Sequence, residues 1–370
     1  MVVPALDRAG LEMVVVSLVR TLGRLGHDAG VVCIERAGEL GEQLLAEGVR
    51  IKVVPTPGLR TNVFPANLAN HFRQVAPDVV HVHSGAWLKA VRAGRMASSG
   101  ATISTLHGIW PDPPWYVPAY SAIAAAQTDR IVAVSTSLSL HLVRAFRVSP
   151  AKIDVIENGV DATWFSPAPR TGWLHRELGI DPANRIVGTV GRLHSVKNHA
   201  LLIDAFAIVH DKLPSTVLVI VGEGSLRLKL EQRIASKGLG HAVFLPGVSS
   251  DVRAYYREFD LFVLSSVIEG TSISGLEAMA CGVGTVATEV GGNASLLGGG
   301  AHGTLVPSDD AEAMANAILQ LLSDDDKRLR LAVAARKDVV ENHSEEAVAR
   351  QYLQTYRRAL DGRRSAVWHD

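Results

Sequence analysis

Short apolar runs alternate with amphipathic helical patterns along the whole chain. In the first half, the runs are rich in β-branched residues, and between them apolar residues recur at helical spacing. This pattern predicts strands near 29–34, 50–54, 78–83, 101–106, 129–134 and 153–156, and helices near 11–26, 39–47, 65–76, 85–98 and 137–147.

The second half repeats the rhythm. Strands are predicted near 185–190, 216–221, 242–245, 259–264, 284–288 and 304–306, with helices between them. Such alternation is typical of parallel sheets that carry helices on both faces. We therefore predict an α/β protein with two doubly wound Rossmann-like domains facing each other across a cleft, a division that suits 370 residues.

The predicted domains are residues 1–165, residues 166–345 and a final segment, residues 346–370. Between the two halves, Asn158 to Asn184 is rich in Pro, Gly and Trp and shows no clear period, as expected of a linker. An amphipathic helix from Glu345 to Leu360 is predicted to pack back on the N-terminal domain, and Gly362 to Asp370 is predicted to be a frayed tail.

Composition and charge narrow the function. Hydrophobic residues make up 47% of the chain, and 37 basic side chains balance 37 acidic ones, which argues against a nucleic-acid partner. The two cysteines, Cys33 and Cys281, lie in apolar contexts and are expected to be reduced core thiols rather than a disulfide or metal framework. Neither a spanning apolar run nor a signal peptide is recognised, so we expect a cytoplasmic protein.

Two glutamates seven positions apart frame a polar loop after a strand. The apolar run Phe259 to Leu264 is followed by Glu269-Gly-Thr-Ser-Ile-Ser-Gly-Leu-Glu277 and then by a helix that Gly282 ends. Ser272 or Ser274 can cap this helix. A strand, loop and helix in this order place the loop at the carboxyl edge of an open sheet, where ligands of doubly wound folds bind.

The chemistry of this loop suggests a site for a phosphorylated sugar. The N–H groups near Ile273 and Ser274 would point out of the helix start toward an anion such as phosphate. Because like charges repel, the two carboxylates would instead accept hydrogen bonds from sugar hydroxyls or stabilise developing positive charge. The alternative is that both glutamates only cap the helix and complement its dipole.

With further motifs in the same order, the chain resembles the retaining glycosyltransferases of family 4, which have the GT-B fold. The matching segments cover nearly the whole chain. They are Asp7 to Glu12, Thr105 to Gly108, Asn158 to Asp161, Val190 to Asn198, Val221 to Gly224, and Glu269 to Gly282.

The resemblance implies an activity. It implies a hexosyltransferase that moves a sugar from a nucleotide-diphosphate sugar, UDP or GDP, to a saccharide or lipid-linked saccharide acceptor, with an α-linkage, in cell-surface polysaccharide biosynthesis. The N-terminal domain would bind the acceptor and the C-terminal domain the nucleotide sugar. No other cofactor and no metal are implied, because Arg192, Lys197 and a helix N-terminus would neutralise the diphosphate. The leaving diphosphate itself would help to deprotonate the acceptor in a front-face transfer.

The resemblance also assigns site residues. Four residues are implied in catalysis: His107, Arg192, Lys197 and Glu269. Seven are implied in donor binding: Gly10, Gly270, Thr271, Ser272, Ile273, Ser274 and Glu277. Glu277 would hold the ribose and Glu269 the transferred sugar, and His107 would bind a sugar hydroxyl or position the acceptor. His81 and His83 are interpreted as structural.

Three positions depart from the family pattern. Ala9 stands where a second glycine is usual, and we expect it to narrow the approach to Gly10 or to be tolerated. Gly284 replaces a proline and is expected to loosen a turn. Ser295 replaces a glutamate and removes a carboxylate from the rim of the donor pocket, so we expect donor preference to change.

Two features of the sequence concern the acceptor side. Trp110 to Pro118 offers aromatic rings that would either stack on a sugar or only pack together. Two helices carry basic stripes that are either solvated faces or contacts to an anionic bilayer or lipid pyrophosphate, which leaves open peripheral membrane contact through the N-terminal domain. Their residues are Lys89, Arg92, Arg95, Arg144 and Arg147.

Two other functions stay open at this point. A sugar-nucleotide 2-epimerase shares the two-domain architecture, although the combination of two cations with two glutamates favours transfer. A catalytically silent protein that senses a nucleotide sugar is the other alternative, because Ala9, Gly284 and Ser295 depart from the pattern.

Overall fold

The computed structural model describes residues 1–7, 10–58, 60–83, 85–108, 114–115 and 117–367. The chain divides into two compact units. The first unit comprises Met1–Asn158 and Glu345–Asp370, and the second unit comprises Gly159–Ser344.

The first unit is built on a parallel sheet. Its strands within the described residues are β1 (Val2–Val3), β2 (Val31–Cys33), β3 (Ile51–Val53), β4 (Val79–His83), β5 (Ala101–Leu106), β6 (Arg130–Ala133) and β7 (Ile153–Val155). They lie in the order β3-β2-β1-β4-β5-β6-β7. The chain builds outward from β1 on one side and then from β4 on the other, which is the doubly wound topology.

Helices cover both faces of this sheet. They are α1 (Gly10–Arg24), α2 (Gly38–Ala46), α3 (Arg60–Val63), α4 (Ala66–Val75), α5 (Trp87–Met96), α6 (Val117–Gln127) and α7 (Thr136–Phe146), and a 3₁₀ turn spans Pro150–Lys152. Successive strand residues face opposite sides: Val2 packs in the core beneath α4 to α7, whereas Val3 packs beneath α1 and α2. Both sheet faces are therefore apolar.

The second unit has the same design. Its strands within the described residues are β8 (Arg185–Val190), β9 (Thr216–Val221), β10 (Val243–Gly247), β11 (Leu261–Leu264), β12 (Gly284–Thr288) and β13 (Thr304–Val306), in the order β10-β9-β8-β11-β12-β13. Its helices are α8 (Trp173–Leu178), α9 (His199–Lys212), α10 (Arg227–Ser236), α11 (Val252–Glu258), α12 (Ile273–Ala280), α13 (Asn293–Leu296), α14 (Ala311–Ser323) and α15 (Asp325–Asn342), with 3₁₀ turns at Ser195–Lys197 and Gly298–Gly300.

The strands of the second unit are buried on both faces. Leu261 and Val263 pack with α9, α10 and α14, whereas Phe262 and Leu264 pack with α8, α11, α12 and α15. This explains the nearly continuous apolar run of β11, as expected for a strand in the middle of a parallel sheet. The predicted α/β fold with two doubly wound sheets is confirmed.

The last helix, α16 (Glu345–Val367), belongs to the first unit. Ser17 on α1 donates to Glu345 Oε1 at 2.6 Å, and Tyr356 and His81 Nδ1 are hydrogen-bonded at 2.7 Å. The expectation of a frayed tail was wrong for residues 362–367, because the helix continues to Val367, and residues 368–370 lie outside the described part of the chain. Arg363 anchors its end by donating to the carbonyl oxygens of Ser99 and Gly100, each at 2.5 Å.

Three helices within the described residues were missed by the sequence pattern: the four-residue α3, α6 and α8. Helix α6 was not predicted, because its sequence Val-Pro-Ala-Tyr-Ser-Ala-Ile-Ala-Ala-Ala-Gln is apolar on nearly every side and so shows no amphipathic stripe. Helix α8 lies within the predicted irregular linker. Six residues do not form a stable helix alone, but Leu174 is fully buried in the core of the second unit, and the N–H groups of Thr171 and Gly172 donate to Glu258.

The predicted boundary after residue 165 lies beyond the observed division after Asn158. The stretch that follows Asn158 is already part of the second unit, because Val160 donates its N–H to the carbonyl of His343 at 2.9 Å. Among the residues that the structure describes, no helix is both long and apolar enough to cross a membrane.

Candidate active site

The predicted residues of the second unit meet at the carboxyl edge of its sheet. Strands β8 and β11 are neighbours, although the chain passes through β9 and β10 between them. The loops that follow β8 and β11 therefore leave the sheet side by side at the point where strand order reverses, which is the usual ligand site of this topology. The N–H of Val267 donates to the carbonyl of Val196 at 2.9 Å and ties the two loops together.

The loop after β8 carries Arg192 and Lys197. Arg192 is exposed, and Lys197 ends the 3₁₀ turn before α9. This loop lies tightly against the glycine loop after β9: a Cβ on Gly222 would lie 2.0 Å from the carbonyl oxygen of Gly191, and one on Gly224 would lie 2.4 Å from that of Leu193. The glycines of Val221-Gly-Glu-Gly224 thus support the backbone that presents the two cations.

Lys197 and Glu269 form an ion pair across the two loops. Lys197 Nζ lies 2.5 Å from Glu269 Oε2, and both side chains are largely buried, with 22% and 14% of their surface exposed. Ser266 Oγ donates to the same carboxylate oxygen at 2.9 Å, and Ser265 Oγ donates to the carbonyl of Lys197 at 2.8 Å. Two serines at the end of β11 therefore orient the pair.

A second glycine loop, with Gly291 and Gly292 after β12, packs against the backbone of Glu269. The N–H of Gly292 donates to the carbonyl of Glu269 at 3.1 Å. A Cβ on Gly291 would lie 1.8 Å from that same carbonyl oxygen, and one on Gly292 would lie 2.4 Å from the carbonyl oxygen of Gly270. Side chains are excluded at both positions, so the loop after β12 fixes the backbone of Glu269 and Gly270.

The start of α12 matches the prediction. Ser272 is its N-cap and accepts from the N–H of Gly275 at 3.3 Å, whereas Ser274 lies within the first turn. The first N–H groups of a helix have no acceptor inside it, and those of Ile273 and Ser274 are among them. Gly270 and Thr271 connect this turn to Glu269, so the whole predicted loop lies beside the Lys197–Glu269 pair.

Glu277 occupies a separate position one turn into α12. Tyr256 Oη donates to Glu277 Oε2 at 2.7 Å, and Tyr256 is fully buried. Burial raises the pKa of Glu277 to about 7, and the hydrogen bond from Tyr256 opposes this rise. Glu277 as a whole residue is only partly buried, and a carboxylate that accepts one hydrogen bond keeps lone pairs for others.

Gly10 and His107 lie in the first unit, at the carboxyl edge of its own sheet. Gly10 begins α1 after β1, and His107 follows β5. His107 Nε2 and His83 Nδ1 are hydrogen-bonded at 2.9 Å, with the rings stacked 5.2 Å apart. Burial lowers the pKa of His107 to about 4, so its imidazole is neutral at physiological pH.

His81 and His83, interpreted from the sequence as structural, are both buried on β4. His81 is enclosed by polar partners, with Thr105 Oγ1 2.7 Å from Nε2 and Tyr356 Oη 2.7 Å from Nδ1. His83 differs, because it contacts a predicted site residue, His107. The sequence interpretation missed this contact between His83 and His107.

The basic stripe on α5 is not a free cationic surface. Lys89 donates to the carbonyl of Thr56 at 2.6 Å, and Arg92 to that of Val63 at 3.2 Å. Arg95 donates to the carbonyl of Gln127 at 2.9 Å. These side chains join α5 to neighbouring segments of the first unit. This structural role is a third explanation for the basic stripe on α5, besides a solvated face and contact with a bilayer. Arg144 and Arg147 are exposed.

The departures from the family pattern have different local settings. Gly284 is the first residue of β12, and a Cβ there would lie 2.7 Å from Cγ of Arg328, so glycine makes room for that side chain rather than loosening a turn. Ser295 is exposed on α13. Ala9 and most of the loop from Trp110 to Pro118 lie outside the described residues.

Sequence interpretation missed three partners of the predicted site residues: Ser266, Tyr256 and His83. Ser266 follows an apolar strand, His83 lies on one, and Tyr256 lies on a short helix. At such positions a hydroxyl or an imidazole looks like an ordinary core residue. Only the histidine pair on β4 offered a signal, through its alternation toward one face. Among the described residues, no group of three His, Cys, Asp or Glu side chains could hold a metal ion, and metal independence stays a prediction.

Two family models together match most of the chain. Residues 8–164 match the family described as Glycosyltransferase Family 4, and residues 174–338 match Glycosyl transferases group 1. The chain is similar to the α-maltose-1-phosphate synthase of Mycolicibacterium smegmatis, with 30% identity over 76% of this chain and 79% of that protein. It is also similar to the UDP-Gal:α-D-GlcNAc-diphosphoundecaprenol α-1,3-galactosyltransferase of Escherichia coli, with 27% identity over 85% of each.

A solved structure with the same architecture is that of Anabaena HepE in complex with UDP. It matches with a TM-score of 0.84 at 21% identity, covering 96% of this chain and 98% of that one. This likeness shows the fold, whereas the family matches and the M. smegmatis relative show the family. The chain belongs to the group 1 glycosyltransferases of family 4 and is a transferase with the GT-B fold.

Proposed function

We propose that this enzyme transfers a hexosyl unit from a nucleotide-diphosphate sugar to a saccharide or lipid-linked saccharide, with retention of configuration and an α-linkage, in cell-surface polysaccharide synthesis. UDP and GDP are the proposed nucleotides. The observation that carries the proposal is the juxtaposition of Lys197 with Glu269 beside exposed Arg192 and the start of α12.

These groups suit a sugar diphosphate. Arg192, Lys197 and the N–H groups of Ile273 and Ser274 supply positive charge and hydrogen-bond donors for the two phosphates. Glu269 supplies a carboxylate next to the phosphate-binding cations, where a sugar hydroxyl can donate to it. Glu277, farther along α12, is the proposed partner of the ribose hydroxyls.

The proposed reaction breaks the bond between the anomeric carbon and the diphosphate oxygen, and a bond from the same carbon to the acceptor oxygen forms on the same face. The acceptor proton passes to an oxygen of the leaving diphosphate. Arg192 and Lys197 stabilise the negative charge that develops on the diphosphate in the transition state. Neutral His107 acts as a hydrogen-bonding group for a sugar hydroxyl or the acceptor, because an imidazole with a pKa of about 4 carries no charge at physiological pH.

The choice of donor and acceptor is supported by named relatives. HepE was crystallised with UDP, and the E. coli relative is named for a UDP-galactose donor and a lipid-diphosphate acceptor. We extend both to this chain as proposals. Peripheral membrane contact through the first unit would follow from a lipid-linked acceptor, and the enzyme would then act at the cytoplasmic face.

A nucleotide-release screen tests the proposal. Purified enzyme is incubated with UDP-, GDP- and ADP-sugars, with and without simple sugar and lipid-linked acceptors, and the product's anomeric configuration is read by NMR. We expect acceptor-dependent release of UDP or GDP and an α-linked product. An epimerised nucleotide sugar formed without acceptor would identify an epimerase, and binding without release from any donor would indicate a silent sensor.

A further inference from the structure

We infer that Tyr256 is a positioning residue of the nucleotide site, whose buried hydroxyl holds the Glu277 carboxylate in the orientation needed to bind a ribose. The inference rests on the proposed function, because it takes Glu277 as the ribose partner. Tyr256 itself would not touch the ligand, since it is fully buried behind the carboxylate.

Three other aromatic rings hold the ring of Tyr256 in place. Phe165, Phe259 and Phe262 contact it edge to face, with centroids 6.2, 6.1 and 5.6 Å away. A ring packed in this way cannot swing to another partner, so its hydroxyl points at one place. That place is Glu277 Oε2, 2.7 Å away.

The donor in this hydrogen bond stays protonated. Burial and the neighbouring carboxylate raise the pKa of Tyr256 well above its ordinary value. Tyr256 therefore donates over the whole working pH range. A carboxylate held through one oxygen by a fixed donor keeps its remaining lone pairs for the ligand.

Three arginines act electrostatically on Cys281, the residue that follows α12, and each of them is engaged elsewhere. On α11, Arg253 lies over the ring of Trp164 at 3.8 Å, and Arg257 donates to the carbonyl of Ser166 at 3.2 Å. On α15, Arg336 donates to the carbonyl at the end of α12, that of Ala280, at 2.6 Å.

Cys281, which follows α12, is a neutral thiol because burial raises its pKa to about 12. Tyr256 is thus the side chain that directly holds the Glu277 carboxylate among the residues described.

Loss of the hydroxyl should therefore act through Glu277. Burial already raises the pKa of Glu277 to about 7, and the bond from Tyr256 lowers it. Without that bond, a larger share of Glu277 is protonated at neutral pH and fewer oxygen lone pairs accept from the ribose. Nucleotide affinity should then fall near pH 7 and recover at higher pH.

The test compares Tyr256→Phe with Tyr255→Phe, a matched control on the neighbouring residue, whose ring packs against Trp173 at 5.0 Å. Binding of UDP and of GDP is measured by calorimetry from pH 6 to 9. We expect Tyr256→Phe to weaken binding about tenfold at pH 7, the value of a hydrogen bond to a charged group. The midpoint of its pH dependence should move upward, with Tyr255→Phe unchanged in both respects.

Incorporation of 3-fluorotyrosine at position 256 provides a second variant that keeps the ring packing and so guards against a folding defect. Its more acidic hydroxyl donates more strongly, so the midpoint should move downward, opposite to the change in Tyr256→Phe. A purely structural role for Tyr256 would move neither midpoint.

The variant Glu277→Gln distinguishes a failure of the inference about Tyr256 from a failure of the proposed function. One outcome overturns only the inference about Tyr256: the wild type binds nucleotide, Glu277→Gln binds it more weakly, and Tyr256→Phe binds it as the wild type does at every pH. The proposed function then stands. If the wild type binds neither UDP nor GDP, the proposed function fails and the inference falls with it.

Discussion

The ammonium group of Lys197 lies 2.5 Å from a carboxylate oxygen of Glu269, between two loops that leave neighbouring strands of one sheet. Each charge is neutralised by the other, and the ion pair holds both side chains in place. In the proposed function, a diphosphate would compete with Glu269 for Lys197, and the released carboxylate would become available to a sugar hydroxyl.

Removal of the Lys197 charge should cost most of the activity. We expect Lys197→Met to lower kcat/KM by about 10²- to 10³-fold, the usual loss when one group that stabilises transition-state charge is deleted. The measurement is nucleotide release at several donor concentrations. Lys212→Met, at the exposed end of α9, is the control for loss of a positive charge. Equal activity of the two variants would exclude Lys197 from charge stabilisation.

Gly291 should tolerate no side chain, in contrast to Gly299. Both have positive φ, +54° and +63°, but a Cβ on Gly291 would lie 1.8 Å from the carbonyl oxygen of Glu269, whereas one on Gly299 has no heavy atom within 4 Å. Gly299→Ala should cost only the backbone strain, about 1–2 kcal/mol. Gly291→Ala should cost about 1–3 kcal/mol more and also weaken donor binding by displacing Glu269. Denaturant unfolding and donor KM measure both effects, and similar values for the two variants would contradict the packing argument.

Glu277 should make stability depend on pH. Because folding raises the pKa of Glu277 from 4.5 to about 7, the folded protein holds this proton more tightly than the unfolded chain. The stabilisation is fully present below pH 4.5 and is lost as the pH rises through about 7. Glu277→Gln keeps an acceptor for Tyr256 but cannot ionise, so at pH 8 it should be more stable than the wild type by roughly 1–3 kcal/mol.

The advantage of Glu277→Gln should vanish near pH 4. Denaturant unfolding at both pH values measures it, and Glu341→Gln, an exposed position on α15, is the control. A constant difference between Glu277→Gln and the wild type at the two pH values would show that Glu277 does not take up its proton in this range.

His83 should hold His107 in one neutral tautomer. The two ring nitrogens are 2.9 Å apart, and burial lowers the pKa of both imidazoles. We expect ¹⁵N NMR to show one protonated nitrogen on each ring and no titration of His107 between pH 5.5 and 8.5. In His83→Phe, which keeps a ring in the buried position, His107 should show mixed tautomers. Mixed tautomers already in the wild type would contradict the pairing.

Much of the fold was predictable because its signals are local. The apolar runs of β8 to β13 and the Ser272 cap depend only on nearby residues. Helix α6 shows the limit of this rule: a helix that is apolar on nearly every side has no period to detect. The end of α16 shows another limit, since Arg363 finds the carbonyl oxygens of Ser99 and Gly100 far away in the sequence.

The sequence by itself determined the α/β class, the two sheets, and the two loops that carry Arg192, Lys197 and Glu269, together with the helix that carries Glu277. Periodicity and glycine-bounded turns are properties of neighbouring residues, so both can be recognised in the sequence. Only the tertiary structure decided the partners of these side chains. Lys197 pairs with Glu269, Tyr256 with Glu277 and His83 with His107. The two members of each pair lie on different strands, helices or loops that the fold brings together. Such pairs depend on which strands lie side by side, and hydrophobic pattern along a single chain does not specify that order.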